Sequence, residues 1–480
     1  MSEPSPPGHL SHQGGDRPFR PTRIIPCPGP RELARPLTPR HHARRFIVAL
    51  AAIIATGTGF LMLPWATESS RATDPFDALF TAVSATCVTG LVTVDTADHW
   101  SFLGELVILI LIQIGGLGFM VGASLLLQIL RHEVGLRETL LMRDGGATLS
   151  VREAIDLSRK VVRFTLLVEG AGAALLTARF ALDMPLHLAL WHGIFHAVSA
   201  FCNAGFDLQG DFVSLAPYQG SLWVNATIMT LIQAGALSYI FVSELVARRR
   251  WTRLSLDSKL ILIVNTLLLA GGTLVFLGVE WSRALADVPT WARFHTSLFQ
   301  SVAARTAGYA TVEVGDFQTV TLFFWVLLMG IGGASGSTAG GVKLTTVGVV
   351  AVAVTSTLRG QLEPQLFGRR LPIALVFRSI AIIVLFVAIH FIATVSLALT
   401  EDWLAGAEVG FLDLMFEAMS ALATVGITTG ITPALSDPGK LVLCVTMFIG
   451  RLGPLTAAFA LQRRQARAAY RFPETSVRIG

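Results

Sequence analysis

The chain has 480 residues, 52% of them hydrophobic and 14% charged, and its mean hydropathy is +0.62. Such usage lies outside that of soluble globular domains and excludes a water-soluble core as its explanation. The net charge of +5 is the sum of separated basic and acidic connectors and carries no implication of nucleic-acid binding.

Residues 1–44 are rich in Pro, Gly, Arg and His and predict a disordered basic cytoplasmic tail. They lack the apolar core and cleavage site of a signal peptide. Uncharged runs then follow at 46–67, 260–279, 317–342, 344–358 and 379–400. About 20 helical residues cross a hydrocarbon core of roughly 30 Å. The expected fold class is therefore an all-α polytopic membrane protein, with four pseudo-repeated helix–pore loop–helix units around a central pore. First helices are expected at 46–66, 159–181, 259–280 and 372–400, and second helices at 100–130, 218–247, 318–356 and 438–462, eight spans in all. Between them lie 74–92, 187–207, 289–311 and 408–429, apolar enough to enter the bilayer and too short to cross it. The repeats run 45–131, 155–250, 258–358 and 371–463, and 464–480 is a second cytoplasmic tail.

Basic residues crowd one set of connectors (Arg131, Arg137, Arg143; Arg248, Arg249, Arg250; Arg359, Arg369, Arg370), whereas the others carry Glu68, Asp95, Asp98, Asp207, Asp211, Glu313 and Glu408. The positive-inside rule places both termini in the cytoplasm of a multi-pass plasma-membrane protein. The acidic outer face would concentrate cations.

Four motifs share one grammar: FTAVSATCVTG (80–90), FHAVSAFCNAG (195–205), FQSVAARTAG (299–308) and FEAMSALATVG (416–426). Each ends on a glycine and sits between two apolar spans. Irregular backbone survives at membrane depth only where protein buries it or water lines it. Carbonyls aimed at one axis demand a residue free to take positive φ. Such carbonyls replace the hydration shell of a cation, and potassium gives its water up more readily than sodium. The expected filter backbone is Thr86, Cys87, Val88, Thr89 and Gly90; Cys202, Asn203, Ala204 and Gly205; Thr306, Ala307 and Gly308; Thr424, Val425 and Gly426. The third motif is one residue shorter than the others. Single glycines such as Gly118 with Gly122 are accounted for by close helix packing.

Residues 330–343 are uncharged up to Lys343 yet rich in glycine, each costing about 1 kcal/mol in a helix relative to alanine. A non-helical gate is expected there: Gly332, Gly333, Ser335, Gly336, Ser337, Thr338, Gly340, Gly341 and Lys343. A phosphate loop is excluded because Val342 stands where lysine is required. Arg451 lies in an otherwise uncharged span, so it must face protein or water. It is expected to form an electrostatic barrier beside the gate. Arg305 and Glu417 are expected to pair and brace the filter. Glu169 lies in a span without an evident partner. His192 and His196 have the i, i+4 spacing of a zinc pair but no third ligand, so packing is expected. Cys27, Cys87, Cys202 and Cys444 form no CxxC pattern, which indicates neither zinc nor a disulfide framework.

SATCVTGLVTVD, SAFCNAGFDL, ARTAGYATV and SALATVGITTGIT resemble the pore loops of the Trk/Ktr/HKT superfamily of potassium transporters. MGIGGASGSTAGGVKLTT (329–346) resembles its intramembrane gating loop. MFIGRLGPLT (447–456) resembles the last helix of the Ktr-type membrane subunit, including its buried arginine. The resemblance covers residues 45–465. It implies potassium uptake, with sodium left open as a coupling or activating ion and with K+ in the filter as cargo. It also implies a homodimer in the lipid membrane above a cytosolic RCK-type regulatory subunit that binds nucleotides. No transition metal, organic cofactor or nucleic acid is implied. Sodium-favouring relatives carry serine at the first-repeat glycine; this chain has Gly90. The alternative reading is a secondary transporter of another cation or small solute, whose signature would be inverted repeats. An intramembrane enzyme would need a nucleophile or metal triad, and the sequence shows neither.

Overall fold

A computed structural model describes residues 39–139, 151–361, 363–406 and 409–453. The tails at 1–38 and 464–480, Cys27, Glu408 and the end of the expected fourth repeat (454–463) lie outside the described residues.

The described residues are mostly helical. The first unit comprises α1 (Pro39–Leu61), α2 (Pro75–Cys87), the single turn α3 (Thr96–His99) and α4 (Phe102–Thr139). The second comprises α5 (Val151–Phe180), α6 (Leu186–Cys202), α7 (Leu222–Ala236) and α8 (Tyr239–Arg248). The third has α9 (Leu256–Val279), α10 (Thr290–Ala303), α11 (Thr319–Met329) and α12 (Leu344–Leu358). A two-stranded hairpin, β1 (Gln365–Leu366) with β2 (Arg369–Arg370), leads to the fourth unit: α13 (Ile373–Ala398), α14 (Phe411–Ala423) and α15 (Asp437–Leu452). A π-helical stretch, Leu399–Ala405, closes α13.

Local chemistry sets the boundaries. Asp74 caps α2 by accepting from Phe76 N at 2.8 Å, with Pro75 at its first position. Ser221, Ser255 and Ser436 cap α7, α9 and α15 in the same manner. The short helices α2, α6, α10 and α14 have 13, 17, 14 and 13 residues. At a rise of 1.5 Å per residue they span about 20–25 Å, less than a hydrocarbon core. They are nonetheless largely buried. Phe80, Phe195, Phe299 and Phe416, which open the four motifs, have no exposed surface. By contrast α13 presents Phe377, Val384, Phe391 and Ile392 outward, an inversion expected of a helix that faces lipid.

By length and composition, four described helices cross a membrane unaided: Phe102–Val121, Ile155–Phe180, Leu256–Val279 and Ile373–Glu401. The pair α7 and α8 adds a fifth if counted as one span bent by 101°. The other four of the eight expected spans fall short of this length and composition among the described residues for identifiable reasons. The expected helix 218–247 breaks at 237–238, and 318–356 is divided by the loop between α11 and α12. In α1 the apolar part is only Ile47–Leu61, and α15 reaches the edge of the described residues.

The units pack in a closed circuit. In units one, two and four the short helix lies against both flanking helices and in unit three against α9, and neighbours meet through α4 with α6, α7 with α10, and α11 with α14. The circuit closes where α15 packs on α2. There Lys440 Nζ lies 2.8 Å from Asp77 Oδ1, both largely shielded from solvent.

Candidate functional site

Each short helix ends in the same way. The chain enters the left-handed region at Val88, Asn203, Thr306 and Thr424 (φ 57°, 61°, 71° and 49°) and again two residues later at Gly90, Gly205, Gly308 and Gly426 (φ 97°, 71°, 81° and 94°). In three units the helix closes with paired carbonyl contacts of the Schellman type. Thr89 N donates to Ser84 O, Ala204 N to Ser199 O and Val425 N to Ser420 O, each at 2.8 Å. The Ser84 and Ser420 hydroxyls accept from Gly90 N (3.1 Å) and Gly426 N (3.0 Å). Unit three lacks that serine. Ala307 N bonds Ala303 O instead, four residues back rather than five, so the shorter motif reaches the same endpoint. Val, Thr and Asn in place of glycine at the first left-handed position are costly for the β-branched residues, and backbone held this way marks a constrained site. The sequence reading named these residues as filter backbone but not their left-handed conformation, because Val and Thr carry no turn signal; Asn203 does. The recurrent serine six residues before the glycine was a signal available to that reading.

The four glycines form a ring with cyclic order. A β-carbon at Gly90 would strike Ala204 O, one at Gly205 would strike Ala307 O, one at Gly308 would strike Val425 O, and one at Gly426 would strike Thr89 O. Each glycine thus faces the carbonyl of the residue that precedes the next unit's glycine, and the fourth returns to the first. Any side chain here is excluded by both conformation and space. The Thr86, Thr89 and Thr424 hydroxyls beside the ring are buried and make no hydrogen bond, while the Asn203 side-chain amide lies 3.3 Å from Thr306 Oγ1.

The segment between α11 and α12 is irregular and lies directly against this ring. Gly332 N bonds Val342 O (3.0 Å) and Val342 N bonds Gly330 O (2.9 Å), making a tight loop. Its tip docks into the break of unit two, with Ala334 N on Ala236 O (2.8 Å) and Thr338 N on Gly235 O (3.2 Å). Thr338 Oγ1 donates to Phe201 O at 3.2 Å. Gly340 faces Ala423 O and Thr424 Oγ1 so closely that a β-carbon would collide, as it would from Gly333 onto Ala236 O. Ser335 Oγ is 3.2 Å from Thr345 Oγ1, and Ser337 is buried without a side-chain partner. Gly336 and Gly341 take positive φ. The break itself turns on Ser238, at φ 67° and ψ 150°.

Two cations, Arg451 and Lys343, hold the loop at residues 338–339. Arg451 donates through Nη1 to Thr338 O (2.6 Å) and through Nη2 to Gly115 O (2.8 Å). Lys343 Nζ donates to Ala339 O (2.5 Å). Both lie over Phe119, at 4.5 and 5.6 Å from its ring centre.

The structure takes Arg305 and Glu417 apart. Arg305 donates to Asn265 Oδ1 and to Gly332 O (3.1 Å), so its guanidinium faces the loop and α9. Glu417 instead accepts from Thr428 Oγ1, Thr429 N (3.2 Å) and Thr432 Oγ1 (3.0 Å). Backbone and hydroxyl donors within its own unit satisfy it, which removes the need for a cation. Glu169 has partners the sequence did not reveal: Gln113 Nε2 at 3.1 Å and Cys202 Sγ at 3.8 Å. His196 contacts His192 O at 2.7 Å and accepts from Leu208 N at 3.4 Å. The acidic residues beyond the glycines are tied into loops: Asp95 accepts from Phe212 N (2.7 Å) and Asp98 from Asp211 N (2.9 Å).

A ring of four glycines fed by four short helices, with an irregular loop against it, brings a main-chain carbonyl of every unit to one place. The family model described as TrkH, a cation transport protein, matches residues 25–467. The chain belongs to that family. Among its relatives, the potassium/sodium uptake protein NtpJ of Enterococcus hirae is 36% identical over 431 residues, covering 89% of this chain and 95% of that protein. The Ktr system potassium uptake protein B of Bacillus subtilis is likewise 36% identical, covering 89% and 94%. The crystal structure of the potassium transporter TrkH from Vibrio parahaemolyticus superposes with a TM-score of 0.70 at 18% identity, covering 90% of this chain and 86% of that one. That likeness bears on the fold. As a TrkH-family member the chain is a multi-pass membrane cation transport protein and not an enzyme.

Proposed function

We propose that this TrkH-family chain is the membrane subunit of a potassium uptake system. Its four repeats surround one pathway. The backbone of 86–90, 202–205, 306–308 and 424–426 forms a selectivity filter for K+. The loop 330–343 with Arg451 is the gate. The observation that carries this reading is the cyclic contact of each glycine with the next unit's carbonyl, since a closed circle of main-chain oxygens suits a dehydrated cation.

The gate assignment is supported by the loop's place against Asn203 and Thr424 and by its two cationic clamps. Fixed positive charge beside the path raises a barrier to cations that loop movement would lower. The Ktr names of the relatives support a separate regulatory subunit, here assigned as cytosolic, nucleotide-binding and of RCK type. Outward apolar surface of the spans accommodates lipid and a second copy in a homodimer. The charge distribution supports placing both termini inside, and the plasma membrane is assigned with it. The name of the Enterococcus relative includes sodium, which keeps sodium dependence within the proposal.

The test is expression in a potassium-uptake-deficient host, followed by flux of K+ and Na+ in proteoliposomes with and without the regulatory subunit. Growth at low external potassium together with K+-selective flux is expected. Flux of neither ion, or uptake of an organic solute instead, would overturn the proposal in favour of a secondary transporter.

A further inference from the structure

One position repeats in all four units, and only its unit-four member, Glu417, entered the filter argument, as an expected partner of Arg305. It is the residue immediately after the buried phenylalanine: Thr81, His196, Gln300 and Glu417. All four are buried, none above 1% exposure. Polar groups this deep cost free energy unless they are hydrogen-bonded. In three units the partner lies at one equivalent place, three residues beyond the glycine. Leu208 N donates to His196 Nε2 (3.4 Å), Gln300 Nε2 donates to Thr311 Oγ1 (3.3 Å), and Thr429 N donates to Glu417 Oε1 (3.2 Å). Glu417 adds Thr428 Oγ1 and Thr432 Oγ1 to its set. In unit one the corresponding residues are Thr81 and Thr93, both buried, and neither hydroxyl makes a hydrogen bond.

We propose that His196, Gln300 and Glu417 are positioning residues that tie the segment leaving the ring to the helix entering it, so that each carbonyl beside a glycine is fixed from behind. The tie is made in three units and left unmade in unit one. Side chains of different chemistry, an imidazole, an amide and a carboxylate, serve one geometric purpose. The strongest tie is in unit four, where a carboxyl group gathers three donors. This inference rests on the filter reading above.

The experiment is the potassium-to-sodium permeability ratio in reconstituted vesicles. Removing a hydroxyl partner by Thr311→Val or Thr428→Val is expected to lower the ratio about tenfold, the effect of losing one hydrogen bond at a buried site. Thr311→Ser, which keeps the hydroxyl, should retain it, and Thr93→Val in untied unit one should leave it unchanged. Because the variants fall in separate units, poor assembly of one leaves the others to decide. Unchanged ratios in Thr311→Val and Thr428→Val would overturn the proposal, as would an equal loss in Thr93→Val. Gly426→Ala serves as the reference: if it too left the ratio unaltered, the filter reading would fail and the ties with it.

Discussion

The guanidinium of Arg451 donates to the main-chain carbonyl of Thr338 at 2.6 Å and so joins the last described helix to the tip of the loop in unit three. Its second contact, to Gly115 O, reaches unit one. One side chain therefore joins units four, three and one at the loop. Hydrogen bonds from a charged donor contribute about 1.5–3 kcal/mol each. Arg451→Gln keeps the length but not the charge, and potassium flux is expected to rise several-fold. Unchanged flux in a correctly assembled protein would mean that the loop does not depend on this clamp.

Gly90→Ser adds a side chain at φ 97° against Ala204 O. The ring must open on that side, and a looser ring discriminates less against the smaller, more tightly hydrated ion. Sodium permeability relative to potassium is expected to rise at least about tenfold, a change of roughly 1.4 kcal/mol in relative barrier. Reversal potentials under bi-ionic conditions measure it directly, and a wild-type ratio would count against the filter.

Ser238 occupies a backbone region that is close to glycine-only, at a cost of about 1–3 kcal/mol. Ser238→Gly is expected to stabilise the protein by about 1 kcal/mol and to raise its thermal midpoint in detergent. A lower midpoint would show that the serine makes a contact worth more than the strain.

Lys440 and Asp77 close the circuit between units four and one. The pair is shielded without being fully dry, so Lys440→Met is expected to cost about 1–3 kcal/mol, between exposed and buried pairs. Asp77→Asn should cost a similar amount, and the double variant much less than the sum of the two. Additive losses in a thermal-shift cycle would show that the two charges act independently.

The equivalence of Gly90, Gly205, Gly308 and Gly426 was legible in sequence because glycine is the only residue that meets both the dihedral and the contact those positions demand. The long helices were legible from uncharged runs such as 260–279. Three features were not. Val88, Thr306 and Thr424 are β-branched, and nothing in their type announces a left-handed turn closed by the carbonyls behind them, those of Ser84 and Ser420 in units one and four and of Ala303 in unit three. The break after Ala236 lies within an uncharged run with no proline. It is set by the loop from unit three, whose Ala334 and Thr338 amides take the Ala236 and Gly235 carbonyls. Arg305 was matched to the wrong partner because charge suggested a carboxylate, whereas the groups within reach are the Asn265 amide and a carbonyl. Hydrogen-bond geometry between segments distant in sequence decides such cases, and no local pattern encodes it.

The Lys440–Asp77 contact joins residues 363 positions apart. At about 5–20 residues per second, a ribosome needs roughly 20–70 s to deliver the second partner after the first. Throughout that interval the earliest quarter sits in the bilayer with its polar turn uncovered on one side. A nascent chain of this kind depends on the insertion machinery to shelter an unfinished seam, and a stalled or truncated product would expose it to degradation.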